Sequence, residues 1–242
     1  MNANNGIMGW YWSIPTLTRT YLTLAVLTTA LCHFDITSPL SLYYNSNLIF
    51  IKGQYWRLLT SFLYFGDFSI GFVFNMYFLV RIFCFLSLFS FQQSNYSSMI
   101  ESGEFGRRKA DFLLMMLIGS VLIIASEPFT QLKFLGSALG FMMTYVWGKR
   151  NRHARMAFFG VFPFAGPYLP WVLTLFSLMV GGNFVADLVG IAVGHVYYFL
   201  EFVYPEVAKA RGWSVQRLVV VPRWLSDLLG DANDNRDRIH FD

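Results

Sequence analysis

The sequence predicts an all-α membrane protein, a bundle of six transmembrane helices, and three observations support this fold class. Of the 242 residues, 55% are hydrophobic and only 13% are charged, whereas soluble domains carry about 25% charged residues. Aromatic residues make up 19% of the chain, which is typical of lipid-facing surfaces and interfacial belts. Long apolar segments also recur along the chain, and each crossing of a bilayer needs about 20 mostly apolar residues.

Six segments meet this description. They lie near residues 17–34, 69–91, 112–126, 132–148, 157–180 and 183–203. The third and fourth are short and meet at SEPFTQLK, where Glu127 and Pro128 indicate a tight turn.

Basic residues orient this bundle because they fall on alternate connections. RRK follows the second segment, KRNRHAR follows the fourth, and the tail is also rich in arginine. The other connections hold only Lys52, Arg57 and Lys133. Positive connections stay in the cytosol, so we expect a cytosolic N-terminus over 1–16, a transmembrane domain over 17–204 and a partly disordered cytosolic tail over 205–242. The acceptor pattern at Asn95 should then stay unglycosylated.

The connection after the first segment contains a second, shorter apolar stretch. Residues 58–66, LLTSFLYFG, would extend only about 14 Å as a helix, which is too short to cross a bilayer. We expect this stretch to lie as an amphipathic insert in the leaflet opposite the cytosol.

Ser137 and His195 lie in two of the predicted spans, which raises the hypothesis of a nucleophile and its base. Their predicted depths differ by about 9 Å, so packing is the favoured interpretation. Glycines spaced four apart, Gly136 with Gly140 and Gly190 with Gly194, are typical of close helix contacts. His195 is expected to form an interhelical hydrogen bond, with a place beside a wet cavity as the alternative.

Asp187 is a further embedded ionisable residue, near the start of the sixth span. Because a buried carboxylate is costly, we expect it to face water, a helix end or a hydrogen-bond partner.

Eight segments, taken in order, resemble the Derlin family, a branch of the rhomboid superfamily, over about residues 12–205. They are IPTLTRTY (14–21), ITSPLSLYYN (36–45), QYWRLLTSFLYFG (54–66), FNMYFLVR (74–81), RRKADFLLM (107–115), YVW (145–147), YLPWVL (168–173) and LVGIAVGHVYYFLE (188–201). Each segment alone is a weak signal, and their combination in this order is specific.

The resemblance implies a rhomboid-like fold without protease activity. The family's catalytic serine and histidine positions fall on Gly136 and Asp187, so the chain resembles a catalytically inactive pseudoprotease. Trp56 and Arg57 match the Trp-Arg motif of the first lumenal loop, which would contact substrate or only anchor the fold. We expect the indole to lie at the membrane interface and the guanidinium to bind phosphate or backbone carbonyls. The paired glycines Gly190 and Gly194, followed by His195, match the motif of the sixth span.

The resemblance also implies a function. Such a protein would reside in the endoplasmic reticulum membrane and help move misfolded client proteins to the cytosol for degradation. Its partners would be clients, an ER ubiquitin-ligase complex, membrane lipid and, in some assemblies, further copies of itself. The p97/Cdc48 ATPase would act indirectly, because the tail lacks a Gly-rich box ending in Arg-Leu-Gly.

One further departure from the family and two alternative functions stay open. The connection over 87–106 is longer than is usual in the family. The alternative functions are a residual intramembrane serine protease that uses Ser137 and a transporter of a small solute. No cofactor, metal site or nucleic-acid partner is expected from the sequence.

Overall fold

The computed structural model describes residues 11–12, 16–73, 76–77, 109–158, 162–213, 218–222 and 225, and this part of the chain is predominantly helical. Its helices and strands are α1 (Thr16–His33), α2 (Pro39–Leu42), α3 (Ser46–Phe50), α4 (Trp56–Leu63), α5 (Lys109–Thr130), α6 (Gly136–Arg150), β1 (Arg155–Phe158), β2 (Phe162–Ala165), α7 (Leu169–Met179), α8 (Phe184–Tyr198) and α9 (Tyr204–Arg211). Most of the second predicted span, the Asn95 acceptor, the 87–106 connection and most of the tail lie outside the described residues.

Two of the described helices are long and apolar enough to cross a membrane. One is Ala110–Thr130 within α5, and the other is the continuous helix Phe184–Arg211 that joins α8 to α9. These two helices contain the third and sixth predicted spans. The six-span topology as a whole stays a prediction, because α1, α6 and α7 are shorter or less apolar than these two helices.

Short helices fill the connection after α1, and two of them begin at a capping side chain. The Ser38 hydroxyl accepts a hydrogen bond from the Leu40 amide at 3.3 Å at the start of α2. The Asn45 side chain accepts one from the Leu48 amide at 3.1 Å at the start of α3. The third, α4, has 8 residues and is the short helix expected near 58–66, although it begins and ends earlier.

The turn between α5 and α6 lies later than the sequence predicted. Glu127 and Pro128 were expected to form it, but both residues belong to α5. The helix ends only at Gln131, which has a left-handed φ of 52° and donates its amide to the Glu127 carbonyl at 2.8 Å. Proline removes one helical hydrogen bond, and at this distance from the end of α5 the loss does not stop the helix.

Helix α6 lies at the centre of the described bundle. Of its 15 residues, 11 are buried, and they occur on every side of the helix. The surrounding elements are α4, α5, α7 and α8, and α8 makes the most extensive contact with it. A helix that is apolar all round is typical of such a central position.

The fifth predicted span, 157–180, is wrong over its first half. Two strands, Arg155–Phe158 and Phe162–Ala165, pair antiparallel there, with Arg155 opposite Ala165 and Phe158 opposite Phe162. Only Leu169–Met179 is α-helical, after a 3-10 turn at Gly166–Tyr168. Prolines 163, 167 and 170 explain the difference, because helices accept proline in the first turn and not in the interior.

A five-residue π-helix, Phe199–Val203, interrupts the long helix between α8 and α9. The Tyr204 amide bonds to the Phe199 carbonyl, five residues earlier instead of four. Pro205 accounts for this wide turn, because it has no amide hydrogen for the Glu201 carbonyl and its ring would collide with that carbonyl in a regular α-helix. The long helix ends at Gly212, whose φ of 66° is left-handed.

Candidate functional site

Arg57 of α4 is buried and holds the first connection together. Its Nε donates to Gln54 Oε1 at 2.7 Å, and its Nη1 donates to the carbonyl oxygens of Leu40 at 3.0 Å and Tyr43 at 3.1 Å. Its guanidinium also stacks over the Tyr43 ring at 4.9 Å. Arg57 therefore closes the C-terminal end of α2, where backbone carbonyls lack helical partners.

Trp56, its neighbour in the predicted motif, points outward. The indole is 55% exposed, and the side chain of Leu59, three residues later, is 63% exposed. The opposite face of α4 is buried through Arg57, Ser61 and Phe62. The two motif residues thus face in different directions, one into the fold and one toward its surroundings.

The C-terminal end of α4 is clamped between α1 and α6. The Tyr21 hydroxyl donates to the Phe62 carbonyl at 2.7 Å, and the Leu135 amide donates to the Ser61 carbonyl at 2.8 Å. These bonds satisfy carbonyls that a helix end leaves open. Burial away from solvent raises the pKa of Tyr64, just beyond α4, and its hydrogen bond to Asp67 at 2.8 Å adds to that effect.

Gly136, the predicted position of the lost nucleophile, lies against this clamp. A Cβ atom added there would lie 2.6 Å from the Phe62 carbonyl oxygen and 3.0 Å from the Phe65 ring. Gly140 differs, because an added Cβ would meet nothing within 4 Å. The expectation that both glycines form one close-contact stripe is therefore wrong for Gly140.

Gly190 and Gly194 form the close contact between α8 and α6. An added Cβ on Gly190 would collide with the Ala138 carbonyl and lie 2.6 Å from Phe141 Cβ. On Gly194 it would lie 2.9 Å from both the Met142 carbonyl and Tyr145 Cβ. From Gly190 to Gly194 on α8, the residues contacted on α6 also shift forward by four, so the two helices run parallel. The glycines allow the close approach of the two helices, as expected.

His195 bonds across this interface. Its Nδ1 lies 2.7 Å from the Tyr145 hydroxyl, and the two rings meet edge to face with centroids 5.7 Å apart. The interhelical hydrogen bond expected for His195 is thus present, with Tyr145 as the partner. Sequence reasoning did not find Tyr145, because its pairing depends on the register between the two helices.

The same register separates Ser137 from His195. Gly190 is level with Ala138 and Phe141, so Ser137 is level with the turn that contains Asp187. His195 lies about 11 Å farther along at 1.5 Å per residue. No hydrogen bond joins Ser137 to His195 in the described part of the chain, where the imidazole is bonded to Tyr145.

Asp187 lies level with Gly136, so the two predicted lost protease positions occur at one depth. Its side chain is 1% exposed and lies beside the side chain of Ser177 of α7. Among the described residues, its Oδ2 has no hydrogen-bond partner. Its place in the first turn of α8 suits a negative charge, because helix N-termini carry partial positive charge.

The described residues include no group of three or more His, Cys, Asp or Glu side chains that could hold a metal ion. An open cleft of about 530 Å³ lies elsewhere, at the start of the second predicted span, and is lined by Phe68, Ser69, Ile70 and Val73. Its lining is mostly apolar.

The two helices long enough to cross a bilayer and the outward-facing apolar side chains agree with the α-helical membrane protein that the sequence predicts. A family model described as the Der1-like family matches residues 14–214. The chain belongs to the Der1-like family, which works in ER-associated degradation.

Curated relatives agree with this assignment. The chain is 42% identical to Derlin-2.2 of Arabidopsis thaliana over 213 residues, which is 84% of this chain and 82% of the relative. It is 39% identical to Derlin-2.1 of Zea mays over 235 residues, or 93% of this chain and 86% of the relative. A probable derlin-2 homolog of Dictyostelium discoideum is 34% identical over 227 residues, covering 91% and 82%. The resemblance read from the sequence is confirmed.

Proposed function

We propose that this protein resides in the endoplasmic reticulum membrane and helps misfolded proteins pass to the cytosol for degradation. The observation that carries the proposal is the family match over residues 14–214. The protein acts without cutting its clients, as a surface and a membrane defect beside which a polypeptide can cross.

Short helices support a mechanism of local bilayer thinning. Helix α6 has 15 residues and α7 has 11, which correspond to about 22 Å and 16 Å. The hydrocarbon core of a typical bilayer is about 30 Å thick. Helix α7 has exposed apolar side chains, so lipid around it thins to match its length, which shortens the apolar path that a client's polar backbone has to cross.

The first connection adds to this defect from the lumenal side. Its exposed apolar side chains include Leu40, Phe50, Ile51, Tyr55, Trp56 and Leu59. Aromatic residues of this kind favour the membrane interface, so α4 lies in the lumenal leaflet. The internal hydrogen bonds of Arg57 keep the surface rigid while Trp56 meets lipid or client.

The proposed path for the client lies in a groove between the second and sixth spans. The cleft at Phe68–Val73 lies at the start of the second span, and Gly71 there is in close contact with Val180 at the end of α7. Ser69 gives this otherwise apolar cleft a polar group. Both termini face the cytosol, where a ubiquitin-ligase complex receives the client and the p97/Cdc48 ATPase, recruited through another subunit, supplies the pulling force.

The test measures the half-life of a misfolded ER glycoprotein in cells whose gene for this protein is deleted and then restored. We expect slow turnover after deletion and normal turnover after restoration with the unmodified chain. Trp56→Ala should leave turnover slow at normal protein abundance. The matched control is Phe129→Ala, which removes an aromatic side chain that is 90% exposed at the end of α5 and should restore turnover fully.

The possible outcomes test the proposed function and the role of Trp56 separately. Unchanged turnover after deletion, across several client classes, would contradict the proposed function. Equal restoration by Trp56→Ala and Phe129→Ala would contradict only the role of Trp56.

A further inference from the structure

A group of basic and aromatic side chains joins the C-terminal end of α6 to α8. Arg152 donates from Nη2 to the Tyr198 hydroxyl at 3.2 Å and from Nε to the Lys149 carbonyl at 3.4 Å. Lys149 Nζ lies 5.5 Å from the centroid of the Tyr145 ring, and Tyr145 is hydrogen-bonded to His195. We call these five residues the basic shelf.

The positive charge of this shelf is not neutralised within the described part of the chain. Among the described residues, Lys149 and Arg152 contact a tyrosine ring, a tyrosine hydroxyl and a backbone carbonyl, none of which carries a negative charge. The Arg152 guanidinium bonds to the Lys149 backbone, and the Lys149 ammonium lies over the Tyr145 ring, so both cationic residues belong to the same end of α6, beside α8. An anion at this end of α6 would be attracted by both cations, and a guanidinium together with an ammonium is well suited to phosphate oxygens.

Helix-end capping explains only part of this arrangement. Lys149 is in the last turn of α6 and interacts favourably with the negative end of the helix dipole. Arg152 lies beyond the end of α6 and is exposed, and its guanidinium is bonded to Tyr198 of another helix. This bond fixes the direction of the cation without using all of its five N–H donors.

An apolar stripe on α8 leads up to the shelf. Leu188, Ala192, Val196 and Phe199 are all exposed and recur at helical spacing, so they share one face of the helix. Phe199 follows Tyr198 directly and lies one turn beyond His195. The surface is thus apolar along the helix and basic at its end, which is the pattern of a phospholipid with its acyl chain and phosphate.

We propose that the basic shelf binds the phosphate of an anionic phospholipid whose acyl chain lies along the α8 stripe. Lys149 and Arg152 contact the phosphate oxygens, while Tyr145 and Tyr198 position the two cations. The proposal rests on the proposed membrane topology, in which this end of α6 and α8 lies at the cytosolic interface. It does not rest on client transport.

The test titrates the purified full-length chain, in zwitterionic detergent, with short-chain phosphatidic acid and follows the thermal unfolding temperature. Each basic residue near an anionic lipid surface contributes about 1 kcal/mol, so Lys149→Gln with Arg152→Gln should weaken binding roughly 30-fold. The matched control is Lys52→Gln with Lys133→Gln, which removes two exposed cations from other connections and should bind as the unmodified chain does.

Two comparison ligands identify the source of the phosphate. Short-chain phosphatidylcholine and glycerol 3-phosphate should both bind much more weakly than phosphatidic acid, because one lacks net charge and the other lacks the acyl chain. Equal binding of glycerol 3-phosphate would overturn the proposal in favour of a soluble phosphate. Unchanged phosphatidic acid binding in the shelf variant would overturn it entirely.

A second variant tests the proposal even if the double variant does not fold. Tyr198→Phe keeps both charges and the ring but removes the hydroxyl that accepts from Arg152. We expect binding severalfold weaker than in the unmodified chain with an unchanged unfolding temperature in the absence of lipid. Unchanged binding in this variant would contradict the positioning role of Tyr198. If the double variant does not fold, an unaltered Tyr198→Phe titration overturns the proposal.

Discussion

At the scale of single residues, Arg57 and Trp56 show how neighbours in one motif can have separate tasks. Arg57 is 7% exposed and donates hydrogen bonds to three oxygen atoms, whereas Trp56 is 55% exposed. The sequence predicted the motif and offered carbonyls or phosphate as the ligands of the guanidinium. In the structure, the guanidinium donates to backbone carbonyls. Which oxygen atoms lie near it depends on the path of the chain through α2, which no local sequence pattern determines.

Arg57→Ala should destabilise the protein, and Trp56→Ala should not. Removing the buried guanidinium removes its hydrogen bonds to the Leu40 and Tyr43 carbonyls, and a hydrogen bond to a charged group contributes about 1.5–3 kcal/mol. Surface substitutions usually change stability by about 0.5 kcal/mol or less. Thermal unfolding of both purified variants in one detergent checks this, and equal unfolding temperatures would show that Arg57 has no special structural role.

Gly136→Ala and Gly140→Ala should have opposite effects although both glycines lie in α6. A Cβ on Gly136 collides with the Phe62 carbonyl, so that α4 and α6 have to separate, whereas Gly140 has free space. Alanine exceeds glycine in helix propensity by about 1 kcal/mol, so Gly140→Ala should match or exceed the unmodified chain in stability. Thermal unfolding of the two variants measures this difference. A Gly136→Ala variant as stable as the unmodified chain would contradict the tight contact between Gly136 and the Phe62 carbonyl.

At the scale of secondary-structure elements, apolar runs predicted where helices lie better than where they end. The third and sixth predicted spans fall within long helices, because an uninterrupted apolar run specifies a helix strongly. The strand pair Arg155–Phe158 and Phe162–Ala165 was missed because its sequence is rich in apolar residues, as is the helix that follows, and only the proline positions mark the change. The Tyr145–His195 bond could not be predicted, since it depends on the register between α6 and α8.

Pro205→Ala should convert the π-turn before α9 into regular α-helix. An alanine amide can bond to the Glu201 carbonyl, and loss of the extra residue in the turn rotates α9 by about 100° against α8. Val207 is now exposed and Ala208 is buried. Single cysteines at 207 and 208, in a chain otherwise without cysteine, report this rotation by their labelling rates, and unchanged rates would mean that proline does not cause the π-turn.

At the scale of the whole molecule, the lengths of the helices matter more than any one side chain. Helix α5 is long enough to span a bilayer of ordinary thickness, while α6 and α7 are not. One side of the bundle therefore fits a thicker membrane than the other. Threonine hydroxyls in α1 bond to carbonyls one turn back, as Thr23 does to Arg19 and Thr28 to Leu24, so these polar groups can be placed in lipid.

The protein should be most stable in thin bilayers. Mismatch costs fractions of a kcal/mol per Å, so thicker membranes should progressively destabilise a bundle with short central helices. Reconstitution into phosphatidylcholine bilayers of increasing acyl-chain length, followed by thermal unfolding, measures the preference. If the unfolding temperature is highest in bilayers of ordinary or greater thickness, the thinning mechanism has no physical basis.

The burial of α6 on all sides also has a consequence for how the molecule is made. Ribosomes synthesise α6 before α7 and α8, so the helix leaves the insertion machinery before two of its covering neighbours exist. During that interval its glycine and threonine surfaces face lipid or an assembly chaperone. Newly made chains that stop before Phe184 should consequently become substrates of membrane quality control themselves.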